Sequence, residues 1–145
     1  DQYRPSEAHP EPRTLLTINA VAAPTAEEAE ARALPQLRMI ARLRTNKPLI
    51  PLETVEQAAA AQQDGTGGLS DGLAVSFMDA AGSRWLIGSG ADVASEVTSF
   101  AARHGVDEVM LAPVAGAHDS EPLETSAGRV QTLELVAESL LTPVA

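Results

Sequence analysis

The clearest pattern of apolar and polar positions runs from residue 84 to residue 113 and predicts a helix followed by a strand. Ser89 is a suitable N-cap, and apolar residues recur from Val93 at helical spacing, which gives the helix one buried face. Gly105 stands where a helix that ends in a left-handed turn requires glycine. Val106–Ala112 is a short apolar run that suits a buried strand. A helix that leads into a strand across one glycine is typical of parallel α/β folds.

A strand and a helix are also predicted near the start of the chain. Positions 14–22 alternate between a uniformly apolar even face and a mixed odd face, on which Asn19 is the most polar residue. This alternation indicates a strand covered by helices on one side and by something partly polar on the other. The segment Thr25–Glu28 has capping-box spacing, and the helix that follows is expected to reach about residue 44. Pro35 predicts a kink or a break in that helix, because proline removes one helical hydrogen bond.

The remaining segments are less regular. Residues 45–53 are extended by prolines, residues 54–63 are a candidate short helix, and the glycine-rich stretch 64–68 is expected to be a mobile loop. Residues 71–82 stay open between strand and helix, because their apolar positions fit both periods. A final helix is predicted from about residue 125 to residue 141. Its expected core stripe consists of Val130, Leu133, Val136, Ala137 and Leu140.

Composition and charge restrict the classes of function. The chain has 145 residues, enough for one domain, and only 3% aromatic residues, so its core must be built from small aliphatic side chains. Its net charge of −10 disfavours nucleic acid and anionic membranes as partners. The absence of cysteine excludes disulfides and thiolate chemistry, and no apolar run is long enough for a transmembrane helix. No signal peptide is visible, so a cytoplasmic location is expected, and the start at Asp1 suggests a piece of a longer protein.

No side-chain pattern in the sequence defines a catalytic or metal site. The three histidines lack metal-ligand spacing, and there is no P-loop, dinucleotide fingerprint or nucleophile elbow. His118 follows a predicted strand, at the end of the sheet where α/β folds place their sites, and it either contacts a ligand or is an ordinary polar loop residue. A group of cations at the end of the first helix either binds an anion or balances the partial negative charge of the helix C-terminus, and the second interpretation is favoured. These cations are Arg38, Arg42, Arg44 and Lys47.

Several short motifs occur in a fixed order along the chain. The strand-and-helix sequence of residues 17–33 is followed by WLIGS at residues 85–89, by GVDEVML at residues 105–111 and by the segment Arg129–Glu138. Together with Arg4-Pro5-Ser6 at the start, this series resembles the C-terminal end of the luciferase-like flavin-dependent monooxygenases. The resemblance covers most of the chain and rests on the order of the motifs. It departs from the family where a glycine replaces the usual proline after WLIGS.

The resemblance implies a (β/α)8 TIM barrel, of which this chain supplies the C-terminal portion with the last two strands and their helices. As a barrel the chain is incomplete. The single partial domain, 1–145, then consists of a strand plus helix at 14–44, a mobile lid-like segment at 45–82 and a closing helix–strand–helix unit at 84–141. The resemblance also implies an oxidoreductase that uses reduced flavin mononucleotide (FMN), or a deazaflavin, with oxygen and a small organic substrate. The flavin-binding residues of the family lie mostly on earlier strands, so this chain alone is expected to bind no flavin and to be inactive.

Five residues are candidates for the substrate pocket of the intact enzyme. Asn19 and Val21 lie on the mixed face of the first strand, and Met110 and Ala112 lie at the end of the second strand. His118 follows in the next loop. None of the five is proposed as an acid, a base or a nucleophile, and no metal is expected.

The strands also predict how the chain associates. Two strands do not close a barrel, and their outer edges would be unpaired. We therefore expect a homo-oligomer through exposed strand edges, or extra strands formed by residues 71–87. The alternative to a monooxygenase segment is a standalone, non-catalytic α/β module that binds a protein partner or dimerises.

Overall fold

The computed structural model describes residues 3–8, 10–64 and 85–141, which form a mixed α/β fold with a three-stranded parallel sheet and four α-helices. The α/β class expected from the sequence is therefore confirmed. Among the described residues, no helix is both long enough and apolar enough to cross a membrane. In chain order the elements are β1 (Leu15–Ala23), α1 (Ala26–Arg44), α2 (Val55–Gln63), β2 (Trp85–Ser89), α3 (Gly90–His104), β3 (Glu108–Pro113), a short 3-10 turn (Leu123–Thr125) and α4 (Ala127–Leu141).

β1 is the central strand of the sheet, whose order is β2-β1-β3 with both pairs parallel. β2 pairs with the second half of β1 and ends with Ser89 opposite Ala23. β3 pairs with the first part of β1 and ends with Pro113 opposite Ala20. Because the strands are parallel, their carboxyl ends lie at the same edge, and the loops that follow β1 and β3 meet there.

Helices cover both faces of this sheet. α3 and α4 pack on the even-numbered face of β1, where Ile18, Ala20 and Ala22 are fully buried, as the uniformly apolar pattern predicts. α1 packs on the opposite face over the end of β1, where Val21 contacts alanines of the helix. The first part of this second face is open in the described part of the chain, because Leu15 is 47% and Met110 is 50% exposed. The sheet therefore has one closed face and one face that is covered only near the carboxyl edge.

The predicted helix ends form as expected. Ser89 caps α3 and shares a capping box with Asp92, and Gly105 ends this helix in the left-handed region with φ of 60°. Thr54 and Gln57 form a second capping box at the start of α2. Local sequence chemistry thus determines where these two helices begin.

Pro35 does not break α1, which is continuous from Ala26 to Arg44, so of the predicted kink or break the break is wrong. Proline removes one N–H donor and weakens the preceding turn of the helix. In that turn the carbonyl oxygen of Arg32 accepts a hydrogen bond from the N–H of Gly116, at 2.7 Å. The loop after β3 therefore bonds to α1 where the helix's own hydrogen bonding is weakest. This turn of α1 therefore joins the helix to the loop after β3.

Residues 85–89, predicted as the lead into a helix, form the strand β2, so the described sheet has three strands where two were expected. Of residues 71–87, for which an extra strand was considered, the structure describes only 85–87, which belong to β2. The glycine-rich stretch from residue 65 and the ambiguous residues 71–82 lie outside the described residues. Of the lid-like segment 45–82, the predicted short helix is present as α2.

α4 buries a different side from the one that the apolar stripe predicts. Gly128, Thr132 and Val136 are buried, and only Val136 belongs to the predicted stripe. Thr132 is turned inward because its hydroxyl accepts a hydrogen bond from the N–H of Ala22, at 3.1 Å, beyond the end of the β1–β3 pairing. The expectation that the larger apolar residues are buried is therefore wrong for Val130, Leu133 and Leu140, which are 47%, 44% and 44% exposed.

Candidate functional site

A group of charged side chains lies at the carboxyl edge of the sheet, where the loop after β3 meets α1 and α2. Parallel α/β folds bring their ligand-binding loops together at this edge. We call this group the edge cluster. Its members are Glu28 and Arg32 of α1, Glu56 of α2, and His118 and Glu121 of the loop after β3.

His118 bridges α1 and α2 through both of its ring nitrogens. Nδ1 lies 2.6 Å from Oε1 of Glu56, and Nε2 lies 2.8 Å from Oε1 of Glu28. Because ionised carboxylates only accept hydrogen bonds, both contacts are hydrogen bonds when the ring carries two protons. The hydrogen bond to Glu28 makes the largest contribution to raising the pKa of His118, and the hydrogen bond to Glu56 also raises it. Burial and the charge of Arg32 oppose this rise. The geometry therefore favours an imidazolium.

Arg32 is the buried cation of the edge cluster, with 6% of its surface exposed. Its Nη2 and Nη1 donate to the two carboxylate oxygens of Glu121 at 2.7 and 3.0 Å, and its Nε donates to Oε1 of Glu28 at 2.7 Å. These hydrogen bonds from Arg32 lower the pKa of Glu121 to about 2, although partial burial opposes the change. The Arg32–Glu121 pair therefore remains ionised at any physiological pH.

Backbone groups fix the loop after β3 against α2. The carbonyl oxygen of Ala117 accepts a hydrogen bond at 3.0 Å from the N–H of Val55, the first residue of α2. The N–H of Asp119 donates to Oε2 of Glu56 at 2.9 Å. The Glu56 carboxylate thus holds both the side chain of one loop residue and the backbone of the next.

Two glycines allow close packing around Arg32 and Pro35 of α1. Gly116 donates its N–H to the carbonyl of Arg32 and accepts from Arg32 Nη1 at 3.1 Å. A Cβ on Gly128 would lie 2.6 Å from Nη1 of Arg32 and 3.0 Å from the carbonyl oxygen of Gly116. A Cβ on Gly116 would lie 2.8 Å from Cγ of Pro35. Close backbone approach therefore requires glycine at both positions.

The edge cluster is closed on itself. Its carboxylates outnumber its cations by one when His118 is charged, and each charged group has a partner within the cluster. Within residues 3–8, 10–64 and 85–141, no set of three His, Asp or Glu side chains is arranged to hold a metal ion. The excess negative charge also repels a phosphate group. What the arrangement can do chemically is hold one proton at His118 and release it.

The structure brings four of the five predicted pocket residues together on the sheet. The β1–β3 register places Asn19 opposite Ala112, and Met110 points to the same face two residues earlier. Val21 continues this face but is fully buried under α1. His118 lies apart from them, in the edge cluster.

Sequence reasoning missed four members of the edge cluster. Glu28 was assigned to a capping box, and Thr25 Oγ1 does accept a hydrogen bond from the N–H of Glu28 at 3.2 Å. The Glu28 carboxylate, however, is directed to Arg32 and His118. The i, i+4 spacing of Glu28 and Arg32 was the available signal. The sequence contains no such signal for Glu56 and Glu121, because these residues lie far from Glu28 and Arg32 along the chain.

Two of the four cations predicted as a group at the end of α1 have separate partners. Arg38 is 2% exposed and makes two hydrogen bonds with Glu53, at 2.8 and 3.2 Å, which leave its Nη1 buried without a partner among the described residues. Arg42 donates from Nε to the carbonyl of Pro48 at 2.9 Å. The two side chains thus have separate structural partners, Glu53 and the carbonyl of Pro48.

The strands, the covering helices and the position of the edge cluster define a parallel α/β unit of the class that places its sites at the carboxyl edge of the sheet. No family model and no curated protein matches the chain. Among solved structures, the chain is similar to MsnO8 in its apo form, with a TM-score of 0.73 and 23% identity over 97% of this chain. The chain spans 39% of the length of the MsnO8 chain. At this level of identity the likeness shows a shared fold.

Proposed function

We propose that this chain is the C-terminal segment of a luciferase-like flavin-dependent monooxygenase and supplies part of a (β/α)8 TIM barrel. The observation that carries the proposal is the ordered series of motifs at residues 17–33, 85–89 and 105–111, which resembles the C-terminal end of that family. The likeness in fold to MsnO8, which extends over 97% of this chain but 39% of the longer one, supports a segment of a larger fold. A barrel segment has to consist of parallel strands with helices packed along them.

The two faces of the sheet support this assignment. In the proposed barrel, α3 and α4 lie outside, and the open face with Asn19, Met110 and Ala112 lies inside. The half exposure of Met110 is then explained, because the remaining strands of the barrel would cover it. α1 and the edge cluster lie over the carboxyl end of this face, where barrels of this kind have their active sites.

The edge cluster by itself does not suit the phosphate of a flavin. The charged groups at the carboxyl edge are neutralised by one another with an acidic excess, so they do not suit the phosphate of FMN. In the proposed enzyme the FMN, or a deazaflavin, is held by other parts of the barrel and supplies the oxygen chemistry. The contribution of this chain is a wall of the substrate pocket, formed by Asn19, Met110 and Ala112, that excludes water.

A flavin titration followed by fluorescence quenching tests the proposal. It is run on the 145-residue chain and on the longest natural open reading frame that contains it. We expect no saturable binding by the chain alone and one bound flavin per longer protein. In the longer protein, Met110→Ala should raise KM for the organic substrate, whereas Val130→Ala on the outside of α4 should not. Saturable binding by the chain alone, or no flavin binding by the longer protein, would overturn the assignment.

The alternative is a non-catalytic α/β module that associates with a second copy of itself. The outward apolar residues of α4, chiefly Leu133 and Leu140, favour it, because exposed apolar surface of this kind marks protein contacts. β2 and β3 form the edges of the described sheet and would provide the homo-oligomer contacts expected from the sequence. Light scattering and flavin titration on the natural gene product distinguish the two functions. The module is supported if that product is the short chain itself, forms a stable oligomer and binds no flavin.

A further inference from the structure

We propose that the edge cluster is a pH-operated clasp, in which His118 links α2 to α1 only as an imidazolium and loss of its proton releases Glu56 and the start of α2. The inference concerns how the chain holds its own elements together. It does not depend on the flavin-dependent activity proposed above. Failure of either proposal would therefore leave the other unaffected.

The distances require two protons on the His118 ring. Glu56 Oε1 lies 2.6 Å from Nδ1 and Glu28 Oε1 lies 2.8 Å from Nε2. A neutral imidazole has one N–H and one lone pair, so one of the two carboxylates would face a lone pair at hydrogen-bonding distance. That contact is repulsive, and one carboxylate has to leave.

Glu56 is the carboxylate that leaves. Glu28 Oε1 also accepts a hydrogen bond from Arg32 Nε at 2.7 Å, so the Glu28 side chain is held in place when His118 loses its proton. The Glu56 side chain is 47% exposed and can rotate into water. The remaining proton of His118 then stays on Nε2 and keeps the bond to Glu28.

Release of Glu56 loosens the start of α2 because it removes two of the hydrogen bonds that join this helix to the loop after β3. α2 buries only Val55 and Ala58 among its residues. The N–H of Asp119 loses its acceptor together with His118, because both bond to the Glu56 carboxylate. The hydrogen bond from the N–H of Val55 to the carbonyl of Ala117 lies at the same end of the helix. These two amides therefore report on the clasp.

The charged groups around His118 come from all three segments packed against it. α1 contributes Glu28 and Arg32, α2 contributes Glu56, and the loop after β3 contributes Asp119 and Glu121. The Arg32 charge opposes protonation of His118, but the guanidinium is paired with Glu121, and the two facing carboxylates raise the pKa of His118 above its usual 6.5. The clasp is thus fully closed below the usual pKa of histidine and opens as the pH rises through the raised one.

The test combines nitrogen NMR of the His118 ring with amide hydrogen exchange of Val55 and Asp119, from about pH 6 to about pH 9. We expect both ring nitrogens to be protonated at the lower pH. As His118 loses its proton, the protection of the two amides, corrected for the pH dependence of intrinsic exchange, should fall roughly tenfold. In Glu56→Gln, the amide can turn either its oxygen or its nitrogen towards the ring, so this fall should disappear.

Glu30→Gln is the matched control, because it removes the same charge from the exposed surface of α1, and no described contact joins Glu30 to His118. It should retain the tenfold fall. An unchanged fall in Glu56→Gln, or constant protection in the unmodified protein, would overturn the clasp. Should Glu56→Gln fail to fold, nitrogen NMR of the His118 ring in the unmodified protein still tests the proposal. A neutral His118 at about pH 6 contradicts it.

Discussion

The hydroxyl of Thr132 is expected to be one of the most important side-chain groups for the stability of the fold. It is fully buried, accepts a hydrogen bond from the N–H of Ala22 at 3.1 Å, and has the carbonyls of Ala22 and Gly128 at 3.2 and 2.9 Å as acceptors. β3 has already ended at this point of β1, since its last pair joins Ala20 to Pro113. One hydroxyl therefore takes the place of a neighbouring strand for the backbone of Ala22.

The variant Thr132→Val removes this hydroxyl with little change in shape. A buried backbone group left without a partner costs about 1–3 kcal/mol, so the loss of the acceptor for the N–H of Ala22 should lower the free energy of unfolding by about 1–3 kcal/mol. This is a large part of the roughly 5–15 kcal/mol that stabilises an ordinary domain. Thr132→Ser keeps the hydroxyl and loses one methyl group, which should cost about 1 kcal/mol.

Urea unfolding followed by circular dichroism measures these differences. Thr98→Val is the control, because the Thr98 hydroxyl bonds only the carbonyl of Ala94, within its own helix and at the surface, and its loss should cost less than about 0.5 kcal/mol. Amide exchange at Ala22 gives a local check, since that proton should lose protection in Thr132→Val and keep it in Thr132→Ser. The reasoning is refuted if Thr132→Val is as stable as Thr132→Ser.

Three further predictions concern the residues around the edge cluster and the end of α3. Gly128→Ala should destabilise the fold by about 1–3 kcal/mol in urea unfolding, because the new Cβ meets Arg32 Nη1 at 2.6 Å; a gain in stability, as helix propensity alone predicts, would contradict the packing argument. Gly105→Ala should cost about 1 kcal/mol, since φ is 60° there with open space around it, and Gly105→Asn should cost less by the same assay. Glu121→Gln should lower stability at neutral pH by about 1–2 kcal/mol after allowance for solvent screening. The pKa of Glu121 falls from 4.5 to about 2 on folding. Its contribution to stability is therefore present above pH 4.5 and is lost as the pH falls through the lowered pKa, so acidification should remove the difference in the free energy of unfolding between the variant and the parent. A difference that stays constant on acidification would contradict this.

The sequence predicted best those features that depend on neighbouring residues. The start of α3 at Ser89 and its end at Gly105 follow from side-chain and backbone chemistry within one turn. The even face of β1 was assigned correctly because strict alternation has a single structural explanation. These elements needed no knowledge of their partners.

Features that depend on distant partners were not predictable in the same way. β2 is only five residues long, and its stability as a strand comes from pairing with β1, which lies far away in the sequence. α1 is continuous at Pro35, and in the preceding turn Arg32 accepts a hydrogen bond from Gly116, which joins two separate segments. Within the edge cluster, only His118 was named in advance, because its position after a strand is a local property.

The burial of α4 shows how a charged site can determine packing. Gly128, Thr132 and Val136 follow one another at i, i+4 and i+8, so they share one side of the helix. The first of these positions must be glycine because Arg32, paired with Glu121, lies against it. Once that side faces inward, Thr132 reaches the backbone of β1.

The stripe of larger apolar residues on α4 is consequently turned outward, although apolar periodicity alone would bury it. Burial of Leu133 instead would move Gly128 away from Arg32 and Thr132 away from Ala22, and would leave buried polar groups without partners. Each such group costs about 1–3 kcal/mol, which is comparable to the gain from burying one half-exposed leucine. Several polar contacts together therefore outweigh the apolar stripe, and the outward side of α4 remains available to a neighbouring part of the proposed barrel or to a second copy of the chain.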